Sequence, residues 1–428
     1  MPLPSKVPAE VKTLRCTNCA GPLTIRDPYR TLSVACPSCG SVLDARDPAL
    51  AVLVKYASRV RFTPAIPFGK RGTLRGEKWE CTGMLVRQTE VEGTTYRWTE
   101  YLLANPYKGY RWLVEQAGHW LYVRPCLHTP EELPGRNSVF HREVEFKCFQ
   151  TCTATVAFVL GELYWQLEAG ERAIMSDYVA PPKAISSEIS GHERNWSIGE
   201  YIEAAEVRAA FGTKELPYQT GVAPAQPNPL TAELAPVVLL LIQFLAVAAI
   251  IHAIFVSMAQ DKLVLNWKES FLSTDAEKSR VSPTFEMTGH SSPVLVKSSS
   301  PVSNHWVFLG MALINEETNV AYDFGREISF YAGVEDGETW TEGSTTDEVT
   351  IPAVPAGKYF LRVEPQSDMP DASYSIEVYR APTQHWPFWL CAFLLVLPPV
   401  ILKLRQFNFE ITRWKESDYP IIQSTSEE

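Results

Sequence analysis

The chain has 428 residues, of which 46% are hydrophobic and 21% charged, and its formal net charge is −10. This length allows two or three domains, and the apolar content excludes a largely unfolded chain because it can bury cores. Residues 1–10 contain prolines and charges but no apolar segment, so we predict no cleaved signal peptide and expect any membrane insertion to use internal segments.

Four cysteines near the N-terminus form two C-x2-C pairs, with 16 residues between Cys19 and Cys36. Thiolates suit Zn²⁺, and each pair makes a tight turn that points two sulfurs at one ion. The pattern resembles a zinc ribbon, so we predict a closed, structural Zn²⁺ site in residues 11–45. Two disulfides are the alternative, which the reducing location predicted below disfavours. The four predicted ligands are Cys16, Cys19, Cys36 and Cys39.

Residues 46–215 are predicted to form a cytosolic β-rich domain, either an antiparallel sandwich or an open barrel. Alternating or β-branched residues at 96–103, 120–123 and 148–160 are typical of strands. The domain's polar and aromatic residues form a candidate ligand or interaction surface. These residues are Trp98, Glu100, Tyr101, Arg111, Trp112 and His119.

No enzyme motif occurs in the sequence, which has no Gly-rich phosphate loop, nucleophile elbow or H-E-x-x-H. Glu100 and His119 could form an acid–base pair, although such residues more often belong to a polar network in a β-core. We therefore predict no catalytic residue. Residues 1–215 are close to neutral, with no basic stripe among aromatics, so nucleic acid is not a predicted partner.

A Pro-rich linker at residues 216–232 precedes an apolar segment without formal charge, the 23 residues 234–256. That length is enough to cross a hydrocarbon core of about 30 Å. We predict a transmembrane helix at residues 233–257. Gln243 and His252 are polar residues in it that could face the second span or a second copy of the chain in a homo-oligomer.

A second apolar segment covers the 17 residues 386–402. Trp386 and Trp389 suit one membrane interface, and Lys403 and Arg405 suit the other. We predict a second transmembrane helix at residues 386–403, with a re-entrant or peripheral helix as the alternative.

Charge and cysteine placement predict the orientation of this two-span protein. Residues 260–385 carry 19 Asp and Glu but only 9 Lys and Arg, whereas basic residues follow the second span. By the positive-inside rule, both termini are cytoplasmic and the acidic segment is external. Eight of the nine cysteines precede the first span, which agrees with a reducing interior. The predicted location is the bacterial cytoplasmic membrane.

Residues 258–385 are predicted to form an extracytoplasmic β-sandwich or jelly roll. Short strands such as 306–309 and 359–363 alternate with turn clusters such as Glu335-Asp336-Gly337. The Asp-Gly pair there indicates a hairpin turn rather than a Ca²⁺ site.

Residues 404–428 are predicted to form a cytosolic tail on the inner membrane surface. Three apolar residues have helical spacing, and basic side chains beside them would reach lipid headgroups. The residues of this predicted surface are Phe407, Ile411, Arg413 and Trp414.

Residues 96–103 have the pattern Tyr96-x-Trp98-x-Glu100-Tyr101-Leu102-Leu103, and a segment from Gly109 to Trp120 follows. These segments resemble one bacterial family, the domain of unknown function 4178. Three further segments are similar to other parts of such proteins: Gly161-Glu-x-Tyr164-Trp165, Asp177-Tyr178-x-x-Pro181-Pro182, and Phe409-Glu410-x-x-Arg413-Trp414-x-x-Ser417-Asp418-Tyr419. The resemblance implies membrane-linked gene neighbourhoods that include phage-shock-protein-A-like coat proteins, and it implies no catalytic residue.

These observations lead to one main functional hypothesis. The chain would be a membrane-anchored, non-enzymatic sensor or scaffold that links the envelope to cytosolic membrane-stress or membrane-remodelling partners. Two alternatives stay open. The inner domain could bind a small ligand as an enzyme or subunit, or the outer domain could bind cell-wall glycan.

Overall fold

The computed structural model describes residues 11–55, 62–168, 170–275, 277–335 and 337–422. It divides into two compact units, residues 1–234 with 401–428, and residues 235–400. Three sequence predictions concern residues outside these ranges. They are the absence of a signal peptide at residues 1–10, the centre of the turn at Asp336 and the end of the tail at residues 423–428.

The first unit is mainly β. Its elements, in chain order, are β1 (Lys12–Arg15), β2 (Pro22–Ile25), β3 (Ser33–Ala35), β4 (Ser41–Asp44), β5 (Val52–Lys55), β6 (Arg71–Leu74), β7 (Glu77–Val91), β8 (Thr94–Asn105), β9 (Gly109–Gln116), β10 (His119–Pro125), β11 (Glu131–Glu132), β12 (Ser138–His141), β13 (Val144–Leu163), β14 (Arg172–Ala180), β15 (Lys183–Ser190), β16 (Glu193–Ile202) and α1 (Ala204–Phe211).

Eight of these strands close into an antiparallel barrel, in the order β13, β14, β15, β16, β10, β9, β8 and β7. The 20-residue β13 closes it. Residues 147–155 of β13 pair with β14, and residues 156–161 pair with β7. The expectation of a sandwich or an open barrel is thus replaced by a closed barrel, because one long strand bends at two register shifts and serves both neighbours.

The N-terminal ribbon extends the barrel sheet. Strand β3 pairs with the end of β13, where Val34 lies opposite Glu162, and β4 and β5 follow outward from β3. Strands β1 and β2 form a separate hairpin. The backbone hydrogen bonds of the ladder therefore continue through residue 45, where the sequence suggested a domain boundary.

Apolar residues cover both faces of the barrel wall. On β8, Tyr101 and Leu103 pack in one buried cluster with Val207 and Phe211 of α1, whereas Leu102 packs in another. Successive side chains of a strand point to opposite faces, so a strand that is apolar at consecutive positions is buried on both sides. Helix α1, which the sequence reading missed, covers part of one face.

The described residues of the second unit form ten further strands. They are β17 (Lys262–Leu272), β18 (Arg280–Val281), β19 (Phe285–Met287), β20 (Ser292–Ser299), β21 (His305–Asn315), β22 (Ala321–Glu335), β23 (Glu338–Ser344), β24 (Thr346–Val354), β25 (Gly357–Ser367) and β26 (Asp371–Arg380).

These strands form two antiparallel sheets on one core. One sheet has the order β17, β26, β20, β24, and the other has the order β18, β25, β21, β22, β23, with β19 also paired to β25. Val296, Leu361 and Ile376 are completely buried in the shared core. The alternation that predicted strands here thus produces two half-buried sheets packed face to face.

Two helices complete the described structure, α2 (Thr231–Met258) and α3 (Trp386–Trp414). Both are long and apolar enough to cross a membrane. The most apolar 18 residues of α2 are 0% buried, and those of α3 are 11% buried. At one end of the pair, His252 Nε2 lies 3.0 Å from His385 Nδ1. Helix α3 continues past residue 403, so part of the predicted tail belongs to the same helix.

Candidate functional site

The two C-x2-C pairs adopt the same backbone turn. In the first, the Ala20 amide donates to the Cys16 carbonyl at 2.8 Å, and in the second the Gly40 amide donates to the Cys36 carbonyl at 2.9 Å. Ala20 and Gly40 have φ of 59° and 70°. This left-handed conformation reverses the chain and brings both cysteines of each pair to the same side.

The turns bring the four predicted cysteine ligands together. Their Sγ atoms lie within 4.8 Å of one another, and Cys16–Cys39 and Cys19–Cys36 are separated by 3.7 and 3.6 Å. A tetrahedron with metal–sulfur bonds of about 2.3 Å has edges of about 3.8 Å. The cluster therefore fits a metal ion with four thiolates, whereas these separations are too long for disulfides, whose S–S bonds measure about 2.05 Å.

Glu162 fastens the ribbon to the barrel, although the sequence analysis assigned it no role. This β13 carboxylate is 3% exposed and accepts hydrogen bonds from the Arg26 amide (2.9 Å), the Asp27 amide (3.1 Å) and Thr31 Oγ1 (2.9 Å). Arg26 Nη1 lies 3.5 Å from it. A buried carboxylate is stable in this position because each oxygen has donors.

A second polar cluster lies inside the barrel. Arg87 Nη1 of β7 lies 2.8 Å from Glu188 Oε1 of β15, and β13 and β14 separate these strands, so the contact crosses the interior. Glu100 Oε1 lies 3.3 Å from Arg87 Nε and accepts a 2.8 Å hydrogen bond from Trp98 Nε1. The Glu188 side chain is 30% exposed, against 8% for Arg87, so the cluster reaches solvent at Glu188.

Burial and the paired charges shift the pKa values of this cluster in opposite directions. It raises the pKa of Glu100 above its ordinary value, although the charge of Arg87 opposes the shift. Burial also raises the pKa of Asp177 on the neighbouring β14, although Gln150 Nε2 donates a 3.0 Å hydrogen bond to its carboxylate. For Arg87, burial disfavours the charge, but the carboxylates of Glu100 and Glu188 outweigh burial and raise the guanidinium pKa.

The structure separates the other candidate surface residues. Tyr101, on the wall face opposite Glu100, accepts a 3.0 Å hydrogen bond from the Ala65 amide, and Arg111 lies over the Trp79 ring at 5.3 Å. Trp112 packs against Trp165, with ring centroids 5.6 Å apart. These contacts hold the barrel together, and they do not form one common site.

Glu100 and His119 have different partners. His119 Nδ1 lies 2.9 Å from the Tyr201 hydroxyl, whereas Glu100 contacts Arg87 and Trp98. Burial lowers the pKa of His119. The proposed acid–base pair is therefore not assembled in this structure.

The tail residues contact protein. Arg413 is 1% exposed and donates to the carbonyls of Pro224 (2.6 Å) and Ala223 (3.3 Å), and Trp414 packs on Phe149 with ring centroids 5.5 Å apart. This differs from the predicted membrane-surface helix, in which Arg413 would reach headgroups. The reason is that α3 runs on as one helix to the barrel, where carbonyls satisfy the guanidinium.

Further contacts complete this attachment, which we call the collar and define as the contacts of residues 406–418 with residues 223–230 and 149–151. Gln406 Nε2 donates to the Leu230 carbonyl at 2.7 Å. The Thr151 amide donates to Asp418 Oδ2 at 2.7 Å, and the Asp418 amide donates to the Phe149 carbonyl at 2.9 Å. Phe407 is 51% exposed, and Ile411 is half-buried.

Sequence reasoning missed the roles of Glu162, Gln406 and Asp418. One signal was available for Glu162, because a polar residue inside an apolar run usually has a buried partner. Glu162 follows Val159-Leu160-Gly161 and precedes Leu163.

Comparison with known proteins gives one family. Residues 67–204 match the family described as "Domain of unknown function (DUF4178)". This match covers β7 to β10 and β13 to β16, which are the eight barrel strands. No curated protein matches the sequence.

Similarity to solved structures is weak. A structure of PNGF-II is 10% identical, with 71% of this chain and 68% of that chain covered and a TM-score of 0.21. A structure of infectious bursal disease virus, strain Gt, is 8% identical, with coverages of 74% and 76% and a TM-score of 0.19. Scores this low carry no argument about fold or function.

Proposed function

We propose that this chain, whose residues 67–204 match the DUF4178 family, is a non-enzymatic scaffold anchored in a bacterial cytoplasmic membrane by two spans. The barrel and ribbon would lie in the cytosol and the sandwich outside. In this proposal the barrel recruits cytosolic partners, among which phage-shock-protein-A-like coat proteins are the first candidates, and the sandwich meets envelope components.

The collar is the observation that supports this proposal most. Helices of 28 and 29 residues measure about 42 Å at about 1.5 Å per residue, longer than a hydrocarbon core of about 30 Å. The additional turns of α3 reach the collar, where Arg413 and Asp418 are hydrogen-bonded to the rest of the unit. A span that ends in such fixed contacts would transmit a shift of its helix directly to the barrel.

The orientation rests on charge. The basic residues Lys403, Arg405 and Lys415 follow the second apolar segment, and residues 260–385 have 10 more acidic than basic residues, 19 against 9. A cytosolic ribbon also keeps its thiolates in a reducing compartment.

Zinc is the ion that we assign to the four cysteines. Four sulfur ligands in tetrahedral positions are typical of structural Zn²⁺. With four protein ligands the ion has no open position for substrate, so its role would be to fold the ribbon. Cys16, Cys19, Cys36 and Cys39 would hold it, and Glu162 would hold the folded ribbon on the barrel.

The orientation can be tested with a membrane-impermeant maleimide on spheroplasts. The native chain should stay unlabelled, Thr341→Cys in β23 should be labelled, and the control Lys214→Cys should not. Labelling of Lys214→Cys but not Thr341→Cys would reverse the assignment.

Recruitment can be tested by photo-crosslinking in cells. A crosslinking residue replaces Tyr107 on the barrel, 82% exposed, or Val320 on the sandwich, 50% exposed. A phage-shock-protein-A-like coat protein should crosslink to position 107 and not to position 320. If it crosslinks to neither, this partner is wrong.

A second candidate function, binding of a small polar ligand inside the barrel, is favoured by one observation. The polar cluster inside the barrel is buried at Arg87 and Glu100, whereas the Glu188 side chain is 30% exposed. Soaking or co-purification of the full chain should then reveal a ligand that Glu188→Gln loses. Retention of the same ligand by the variant would exclude this site.

A further inference from the structure

Basic side chains line a cavity on the barrel. This cavity is separate from the Arg87, Glu100 and Glu188 cluster and from the four cysteines. It encloses about 290 Å³ between β10, β15, β16 and the β12–β13 hairpin. One acidic residue, Glu200, lines it. The basic residues that line it are Arg75, Arg124, His141, Arg142 and Lys183.

Three of these cations have no acidic partner in the part of the chain that the structure describes. Arg75 lies 3.4 Å from Glu200 and 3.8 Å from Glu206. Within the described ranges, by contrast, no ion pair forms at Arg124, Arg142 or Lys183. Unpaired cations that converge on one concave surface attract anions locally, although the net charge of the whole chain is −10.

The hairpin that carries Arg142 is conformationally unfavourable. His141 pairs with Val144, so Arg142 and Glu143 form a two-residue turn, with φ of 46° and 67°. Such turns favour Asn-Gly because both central residues need positive φ. A turn that keeps Arg and Glu there holds a strained backbone, a feature that clusters at ligand sites.

The remaining walls are aromatic and apolar. Phe146 is 1% and Tyr122 8% exposed, and Val144 and Ile198 also line the cavity. His141 is buried beside them, and burial, followed by the charges of Arg142, His128 and Arg124, lowers its pKa. The lowered pKa of His141 is consistent with several positive charges lying close to its side chain.

We propose that this cavity binds the phosphate group of a small organic phosphate ester. Arg124, Arg142 and Lys183 would donate charge-assisted hydrogen bonds to the phosphate oxygens, and Tyr122 and Phe146 would contact the organic part. A soluble phosphate ester and a phospholipid headgroup share this chemistry. The proposal goes beyond the scaffold function, and it stands or falls independently of the coat-protein partner.

The experiment measures binding of radiolabelled inorganic phosphate to the full chain in phosphatidylcholine nanodiscs. The native chain should bind saturably, and Arg142→Gln/Lys183→Gln should bind at least about tenfold more weakly, since two charged donors are lost. The control Arg46→Gln/Lys214→Gln removes the same charge from exposed residues elsewhere. Equal binding by both double variants, or no saturable binding by the native chain, would overturn the proposal.

Two further nanodisc compositions distinguish the source of the phosphate. Phosphatidic acid has a monoester headgroup, and phosphatidylglycerol gives a matched anionic surface without one. If phosphate affinity falls more than about fivefold in phosphatidic acid discs relative to phosphatidylglycerol discs, the headgroup occupies the cavity. Equal affinity in the two discs assigns the site to a soluble phosphate ester.

Discussion

Arg413 and Pro224 are joined across 189 positions of sequence by a 2.6 Å hydrogen bond from the guanidinium Nη1 to the proline carbonyl. Arg413 is 1% exposed, so this bond ties the end of α3 to the segment that leads into α2. The start of one apolar helix and the end of the other are therefore fixed to the same part of the first unit.

The first prediction is that Arg413→Met weakens the collar. The Ala223 and Pro224 carbonyls would lose a charged donor, which costs about 2 kcal/mol locally. Hydrogen exchange of the Gln226 and Thr231 amides should accelerate by about tenfold or more. Lys415→Met, an exposed neighbour, should leave both amides unchanged, and an equal effect of the two variants would contradict the role of Arg413.

The second prediction concerns Glu162. Glu162→Gln keeps the shape but replaces one acceptor oxygen by a donor that faces the Arg26 and Asp27 amides. We expect the free energy of unfolding to fall by about 2 kcal/mol, measured by urea titration in detergent. The control Glu168→Gln lies six residues further along the chain, at an exposed position, and should change the urea midpoint little. A similar loss in both variants would show that Glu162 does not fasten the ribbon.

The third prediction concerns the metal. Purified protein should contain about one zinc ion per chain by mass spectrometry, and Cys36→Ser should lose it because a closed site needs all four ligands. Cys126→Ser, outside the cluster, should retain the ion. Zinc that persists in Cys36→Ser would place the ion elsewhere.

The fourth prediction concerns the buried ion pair in the barrel. Arg87→Met leaves the Glu100 carboxylate buried without its counterion, which should cost about 3 kcal/mol. Adding Glu100→Gln should recover part of that loss, because the uncompensated charge is then gone. A double-mutant cycle measures this coupling, and strictly additive losses would show that the two side chains act independently.

The fifth prediction is a pH dependence from Asp177. Burial raises its pKa, so the folded protein holds this proton at pH values where the unfolded chain has released it. The stabilisation of the folded state by protonated Asp177 is complete below the ordinary pKa of 3.8, and it is lost as pH rises through the higher pKa of the folded state. Asp177→Asn lacks this dependence.

The melting temperature of Asp177→Asn relative to the native chain should therefore rise between pH 4 and 7. The exposed control Asp371→Asn should show no such trend. A constant difference across this range would mean that Asp177 titrates normally.

Local patterns determined a large part of this molecule. The two C-x2-C pairs identified the four cysteines as one possible metal site, because each turn is formed within a few residues. Two apolar runs identified the long helices since length and composition suffice for that. Alternation located strands such as the one at 96–103, which lies within β8.

Long-range contacts were decided only by the tertiary structure. The closure of β7 on β13, the attachment of the ribbon through Glu162 and the collar at Arg413 each join residues at least 69 positions apart. Periodicity carries no information about such partners, because it reports only which face of an element is buried. The sequence by itself thus determined the two long helices, several strands and the cysteine cluster, whereas packing decided which polar side chains would be buried together.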